Sequence, residues 1–98
     1  MTALHGSIWR FTGDPDRLAA AYDAFLSEVG TDNLLVHLCL LAPDGLIVVD
    51  TCPDRDAWER FDAGRAGFVA AMARHGLPEP SIQDFPVHAV QARLPVAS

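Results

Sequence analysis

The residues best suited to chemistry stand where local propensity would not put them. His37 lies between Val36 and Leu38 in an apolar run, and Asp50 closes the run Leu46-Ile47-Val48-Val49. His88 sits between Val87 and Ala89 near the end of the chain. Apolar surroundings shift the proton affinity of an imidazole or a carboxylate, and such shifts mark sites of acid–base work. His37, His88 and Asp50 are therefore the candidate catalytic set, with a histidine as general acid/base and Asp50 assisting or orienting it. The structural alternatives are a histidine held by a hydroxyl or a carbonyl, and a strand-end carboxylate bonded to backbone amides or arginine. A two-histidine, one-carboxylate metal site from the same three residues has no local spacing behind it, so no metal is expected. The two other histidines read more plainly. His5 is taken as solvated, and His75 as a last-turn histidine favoured by the helix dipole.

Other chemistries are excluded more firmly. All seven basic residues are arginine, so lysine Schiff-base and lysine general-base chemistry are ruled out. Neither a GxGxxG turn nor a phosphate-binding P-loop is present, and no cofactor is expected. Cys39 and Cys52 lack CxxC spacing and any paired histidine motif, which argues against structural zinc. Cys39 reads as a small hydrophobe in Leu38-Cys39-Leu40-Leu41. Cys52, ahead of Pro53, has no obvious activating base beside it.

The 98 residues are enough for one domain, residues 1–98, and half are apolar. A net charge of −6 disfavours nucleic acid and anionic membrane surfaces as partners. With no apolar run of bilayer length and no signal-peptide pattern, a cytoplasmic protein is expected.

Residues 4–12 read as a first strand. Asp14 caps a helix with Pro15 at its first position, and Leu18, Tyr22, Phe25, Leu26 and Val29 form its apolar stripe up to Gly30. Residues 33–42 and 46–52 read as strands joined at Pro43-Asp44-Gly45, a hairpin. Asp54 caps a second helix whose stripe is Trp58, Phe61, Arg65, Phe68, Met72 and His75, with a kink or break near Gly64 and Gly67. Gly76 ends it, and Leu77 covers the last turn. Pro78, Pro80 and Pro86 suggest a stiff loop before a last strand at 87–94.

This β-α-β-β-α-β order is the ferredoxin-like α+β arrangement, an antiparallel sheet with two helices on one face. The second and third strands are apolar on both faces, with Leu34, Val36, Leu38 and Leu40 on one and Leu35, Cys39 and Leu41 on the other. One layer of helices covers only one face, so a homodimer is expected. The hairpin register decides whether His37 meets Asp50. A three-residue loop with a bulge at Gly45 is the preferred reading and puts the two on opposite faces; a two-residue turn pairs them.

Three segments then carry a family likeness: Gly45-Leu46-Ile47-Val48-Val49-Asp50, Asp54-Arg55-Asp56-Ala57-Trp58-Glu59-Arg60-Phe61, and Phe85-Pro86-Val87-His88. In these the chain resembles the dimeric α/β-barrel superfamily, which includes the antibiotic-biosynthesis monooxygenase-like proteins. The resemblance implies two sheets packed face to face in a homodimeric barrel, with a small-molecule cavity between sheet and helices of each protomer. It departs at Cys52, where many relatives have tryptophan. The haem-degrading branch uses an Asn, a Trp and a His. Aligned through the second helix, its Trp falls on Phe61 and its His on Ala71, so haem is not expected.

The function expected is a small cofactor-independent enzyme of secondary metabolism, a monooxygenase or a cyclase. Its substrate would be an aromatic or polyketide-like molecule bound by Trp58, Phe61, Phe68, Met72 and Tyr22. Ser7 is a further residue able to orient a ligand. The alternative is a non-catalytic ligand-binding or interaction module of the same fold. With the second and fourth strands at the sheet edges, His37 of one protomer is expected near His88 of its partner in the barrel.

Overall fold

The computed structural model describes residues 4–30 and 35–93. The elements are β1 (His5–Thr12), α1 (Pro15–Val29), β2 (His37–Ala42), β3 (Gly45–Cys52), α2 (Arg55–Ala63), α3 (Arg65–Arg74) and β4 (Ser81–Pro86). They build one antiparallel sheet in the order β2-β3-β1-β4, the ferredoxin-like arrangement. Leu34, one of the residues read as part of an apolar strand face, and Leu94, the end of the expected last strand, lie outside the described residues.

The helix boundaries follow from their caps. The Asp14 carboxylate accepts from the Arg17 amide at 2.9 Å, and Pro15 opens α1 where no intrahelical N–H is needed. Asp54 does the same for α2, accepting from the Ala57 amide at 2.8 Å. The long second helix divides at Gly64 into α2 and α3. After α3, Gly76 takes a left-handed φ of +92°. The Leu77 amide then reaches back to the Met72 carbonyl at 3.0 Å, which buries Leu77 against the core.

Alternation along the strands sorts the sheet into two faces. Trp9, Phe11, Leu46 and Val48 point to the helices and pack with Leu18, Tyr22, Phe25, Trp58, Met72 and Leu77. On the opposite face, Leu38 is 50 % exposed, Leu40 47 % and Phe85 52 %. Ile8, Ile47 and Val49 share that face through the cross-strand register. Among the described residues, no helix is long and apolar enough to cross a membrane.

Two expectations are corrected. The last strand is Ser81–Pro86, not 87–94. It pairs with Arg10 back to His5 on β1, and five of its six residues, all but Ile82, are exposed, so this edge strand carries too few buried apolar residues to read as one. Pro86 is tolerated because an edge strand has one side free of ladder bonds. The hairpin is also not bulged. Ala42 pairs with Gly45 across a two-residue Pro43-Asp44 turn, and Gly45 has no positive φ. A Cβ on Gly45 would stand 1.8 Å from the Phe11 carbonyl oxygen. The glycine therefore serves the close approach of β1, not a left-handed bulge. The Gly13 amide fixes the turn from the other side, donating to the Asp44 carbonyl at 2.9 Å.

Gly45→Ala forces backbone against backbone and should destabilise the fold by about 3 kcal/mol, at the upper end of overpacking costs. Denaturant unfolding measures this, and a loss under about 1 kcal/mol would mean that β1 and β3 separate easily at that point.

Candidate active site

The two-residue turn pairs His37 with Asp50. Both point to the helix side, and His37 Nδ1 lies against Asp50 Oδ1. These buried atoms have no other partner among the described residues. The pairing reverses the preferred expectation that the two residues lie on opposite faces. Beyond the pair, the Thr51 hydroxyl accepts from the Val36 amide at 2.9 Å, and the Thr51 amide donates to the Val36 carbonyl at 3.0 Å. These bonds extend the ladder past His37 and hold its register.

Tyr22 reaches the same imidazole from α1. Its hydroxyl bonds to His37 Nε2, and its ring lies nearly parallel to the imidazole, with centroids 5.7 Å apart and planes at 13°. A carboxylate only accepts, so the proton between His37 and Asp50 belongs on Nδ1. Nε2 is then the acceptor, and the Tyr22 hydroxyl donates to it. The result is a relay, Tyr22 O–H to His37 to Asp50. Burial pushes the Asp50 carboxyl above its ordinary range, and the neighbouring imidazole offsets this only in part. Burial also raises the Tyr22 phenol far above its usual value, with the negative charges of Cys39 and Asp50 adding to the shift.

The relay opens on a cavity of about 650 Å³ between the sheet and the helices. Its walls are aromatic. Trp9 meets Trp58, Phe61 and Phe68 with ring centroids 6.4, 5.8 and 5.7 Å apart, edge to face. Phe68 meets Phe25 at 5.0 Å and Phe61 at 4.9 Å. Each of Trp58, Phe61, Phe68, Met72 and Tyr22 lines the cavity, as do His37 and Asp50. Ser7 lies on its floor, 4 % exposed, and accepts from Trp9 Nε1 at 2.8 Å.

His88 is elsewhere. It follows the end of β4, is exposed, and does not line the cavity. The expected strand placement of His88 therefore fails, so His37 and His88 do not both sit on edge strands. His5 is corrected as well. It is 5 % exposed, bonds to Asp84 Oδ2 at 2.7 Å and packs beside Trp58. His75 pairs with Glu28 at 3.1 Å outside the cavity. Among the described residues, no three His, Cys, Asp or Glu side chains gather as metal ligands would. Cys52 lines the cavity, but burial raises its thiol, which leaves it a poor nucleophile.

Sequence reasoning missed the Tyr22–His37 contact and the part played by Trp9. The period of two along β1 was the available signal for Trp9, since it sets Ser7, Trp9 and Phe11 on one face. No comparable signal joins Tyr22 to His37, because they meet across the helix–sheet interface.

This fold is shared with solved structures of antibiotic biosynthesis monooxygenase-like proteins. The chain is similar to SnoaB, a cofactor-independent oxygenase from Streptomyces nogalater, with TM-score 0.60 and 19 % identity over 97 % of this chain and 100 % of that one. It is similar to the ActVA-Orf6 monooxygenase of Streptomyces coelicolor, solved with the ligand nanaomycin D, with TM-score 0.62 and 12 % identity over 97 % of this chain and 94 % of that one. A protein of unknown function from Nitrosomonas europaea aligns with TM-score 0.57 and 24 % identity over 99 % of this chain and 98 % of that one. At these identities the likeness is one of fold. No protein-family model matches the chain, and no curated protein matches it in sequence.

The raised Asp50 carboxyl gives stability a defined pH dependence. A group bound more tightly to its proton in the folded state contributes stability below its unfolded pKa of about 3.8, and loses it as pH rises through the folded value. Asp50→Asn cannot ionise and escapes that loss. Its stability relative to the wild type should therefore climb from pH 3.8 upward and level off above the folded pKa. Unfolding curves between pH 3.5 and about 8 test this; a variant that loses ground as pH rises would show that His37 outweighs burial.

Proposed function

We propose that the chain is a cofactor-independent enzyme that removes a proton from an aromatic or polyketide-like small molecule, as the first step of an oxygenation or a cyclisation. The observation that carries this reading is the hydrogen-bonded relay Tyr22–His37–Asp50 at the wall of an apolar, aromatic-lined cavity. Both imidazole nitrogens are occupied, so the group that meets the ligand is the Tyr22 oxygen. As that oxygen takes the ligand's proton, it passes its own to His37 Nε2. The imidazolium formed is held by the Asp50 carboxylate. The raised phenol suits this order of events, since a lone phenolate is disfavoured and the outgoing proton must leave as the incoming one arrives. The fold shared with cofactor-independent oxygenases supports the same reading.

The substrate side is set by shape. The edge-to-face rings of Trp9, Phe61 and Phe68 favour a flat ring system, and the volume suits a ligand of two or more fused rings. The enzyme works as a homodimer in this reading, because Leu38, Leu40 and Phe85 leave an apolar sheet face that the helices do not cover.

A usable probe is 2-tetralone, an enolisable ketone in a ring fused to an arene, followed by NMR as its α-hydrogens exchange with D2O. The wild type should accelerate this exchange. His37→Ala and Tyr22→Phe should each lower the rate by roughly a hundredfold, with His88→Ala unchanged. Full activity in both relay variants removes the acid–base reading.

Sedimentation at micromolar concentration should give about twice the mass of the chain. A monomer would show that the apolar sheet face has another occupant.

A further inference from the structure

On the helix side of the sheet, the row next to the end row of His5, Cys52 and Pro86 is the polar one that faces the cavity. Reading across the strands, His37 pairs with Asp50, Asp50 with Ser7, and Ser7 with Asp84. The next row inward is Cys39, Val48, Trp9 and Ile82. Ser7 is thus the direct cross-strand neighbour of the relay's carboxylate, with side chains starting about 5 Å apart.

The hydrogen bonds of Ser7 are incomplete in an informative way. Its oxygen accepts from Trp9 Nε1 at 2.8 Å, which fixes the position of the hydroxyl. Its own proton has no acceptor among the described residues, although the residue is only 4 % exposed. A buried hydroxyl donor rarely goes unused. The space before it is the cavity, so its acceptor is an oxygen that enters with the ligand or a water that holds the place.

We propose that Ser7 binds the carbonyl oxygen of an enolisable ketone whose ring is fused to an arene, and holds the enolate that forms. This rests on the proton-abstraction reading above and names the chemical class that the site takes. In the step, the α-carbon–hydrogen bond breaks and its proton goes to Tyr22, while the Tyr22 proton moves to His37 Nε2. The electron pair from the broken bond becomes the carbon–carbon double bond, and the carbonyl π pair settles on oxygen. That oxygen gains charge against the Ser7 hydroxyl, a donor already in position in a site walled by aromatic rings. Ser7 and Tyr22 therefore act at the two ends of one short unit, the oxygen and the adjacent carbon. The indole of Trp9 is a positioning residue, since it orients the hydroxyl through its own N–H.

The test compares 2-tetralone with tetralin, which has the same rings without the oxygen. Ser7→Ala should shift the ratio of their affinities toward tetralin by about fivefold to tenfold, the range of one hydrogen bond. It should slow α-hydrogen exchange of 2-tetralone by about a hundredfold, and Ser7→Thr should restore part of both effects. Because Ser7→Ala strands the Trp9 N–H, the same comparison is made between Trp9→Phe and Trp9→Phe/Ser7→Ala, where no donor is orphaned. An unmoved affinity ratio in both backgrounds overturns the proposal, as does an unmoved exchange rate in a wild type that catalyses exchange. A shifted ratio with no exchange by the wild type removes the proton-abstraction reading and leaves Ser7 as the anchor of the ligand's oxygen.

Discussion

A carboxylate buried at the wall of an aromatic-lined cavity must be answered by a proton, and the β2–β3 register decides where that proton comes from. Asp50 faces the helices because β3 alternates, and it would stand there unpaired if the strand opposite were displaced by one residue. The two-residue turn at Pro43-Asp44 sets His37 against it. That turn in turn depends on Gly45, which lies so close to the Phe11 carbonyl that no side chain fits between β3 and β1. A backbone contact at one end of the sheet thus determines which imidazole meets which carboxylate at the other. The Val36–Thr51 bonds past the pair oppose slippage from the far side.

One sheet serves two surfaces by the same alternation. Residues facing the helices form the cavity, and those facing away form an apolar field broken by Arg10 and Gln83. The cavity persists because its walls are large rings meeting edge to face. Such rings hold one another apart at fixed angles and do not close over the gap as flexible chains would. The row through Ser7 and Asp50 brings polar groups to the floor, so a ligand finds hydrogen-bonding partners at one end of a chamber walled largely by aromatic rings.

Much of this was legible from residue types. Asp14-Pro15 and Asp54 announce the helix starts, the stripe from Trp58 to Met72 identifies the aromatic wall, and the element order gives the ferredoxin-like topology. The register was not legible, because Pro-Asp-Gly is compatible with two turns that differ by one residue. What separates them is the contact between Gly45 and β1, a strand far away in sequence. The last strand was obscured for a different reason. Ser81-Ile82-Gln83-Asp84-Phe85-Pro86 is a solvated edge, and Val87-His88-Ala89-Val90 looks more strand-like although the ladder to β1 ends at Pro86, with only the Val87 amide bonding on to the Leu4 carbonyl among the described residues. The His5–Asp84 bond follows from the true strand position and is invisible without it.

The relay also explains why its members cannot be assigned separate shares of any activity. Tyr22 in this setting resists ionisation, so its oxygen is useful as a base only while His37 takes up its proton. His37 can take that proton only with Nε2 unprotonated, and the tautomer that leaves Nε2 free is the one in which Nδ1–H faces Asp50. Asp50, desolvated and held above its ordinary pKa, is stabilised as a carboxylate most when the imidazole beside it becomes positive. Each group is therefore poorly suited to act alone and is corrected by the next. In the proposed proton abstraction, the loss of any one of them disables the other two, so effects measured on single and double variants should not add.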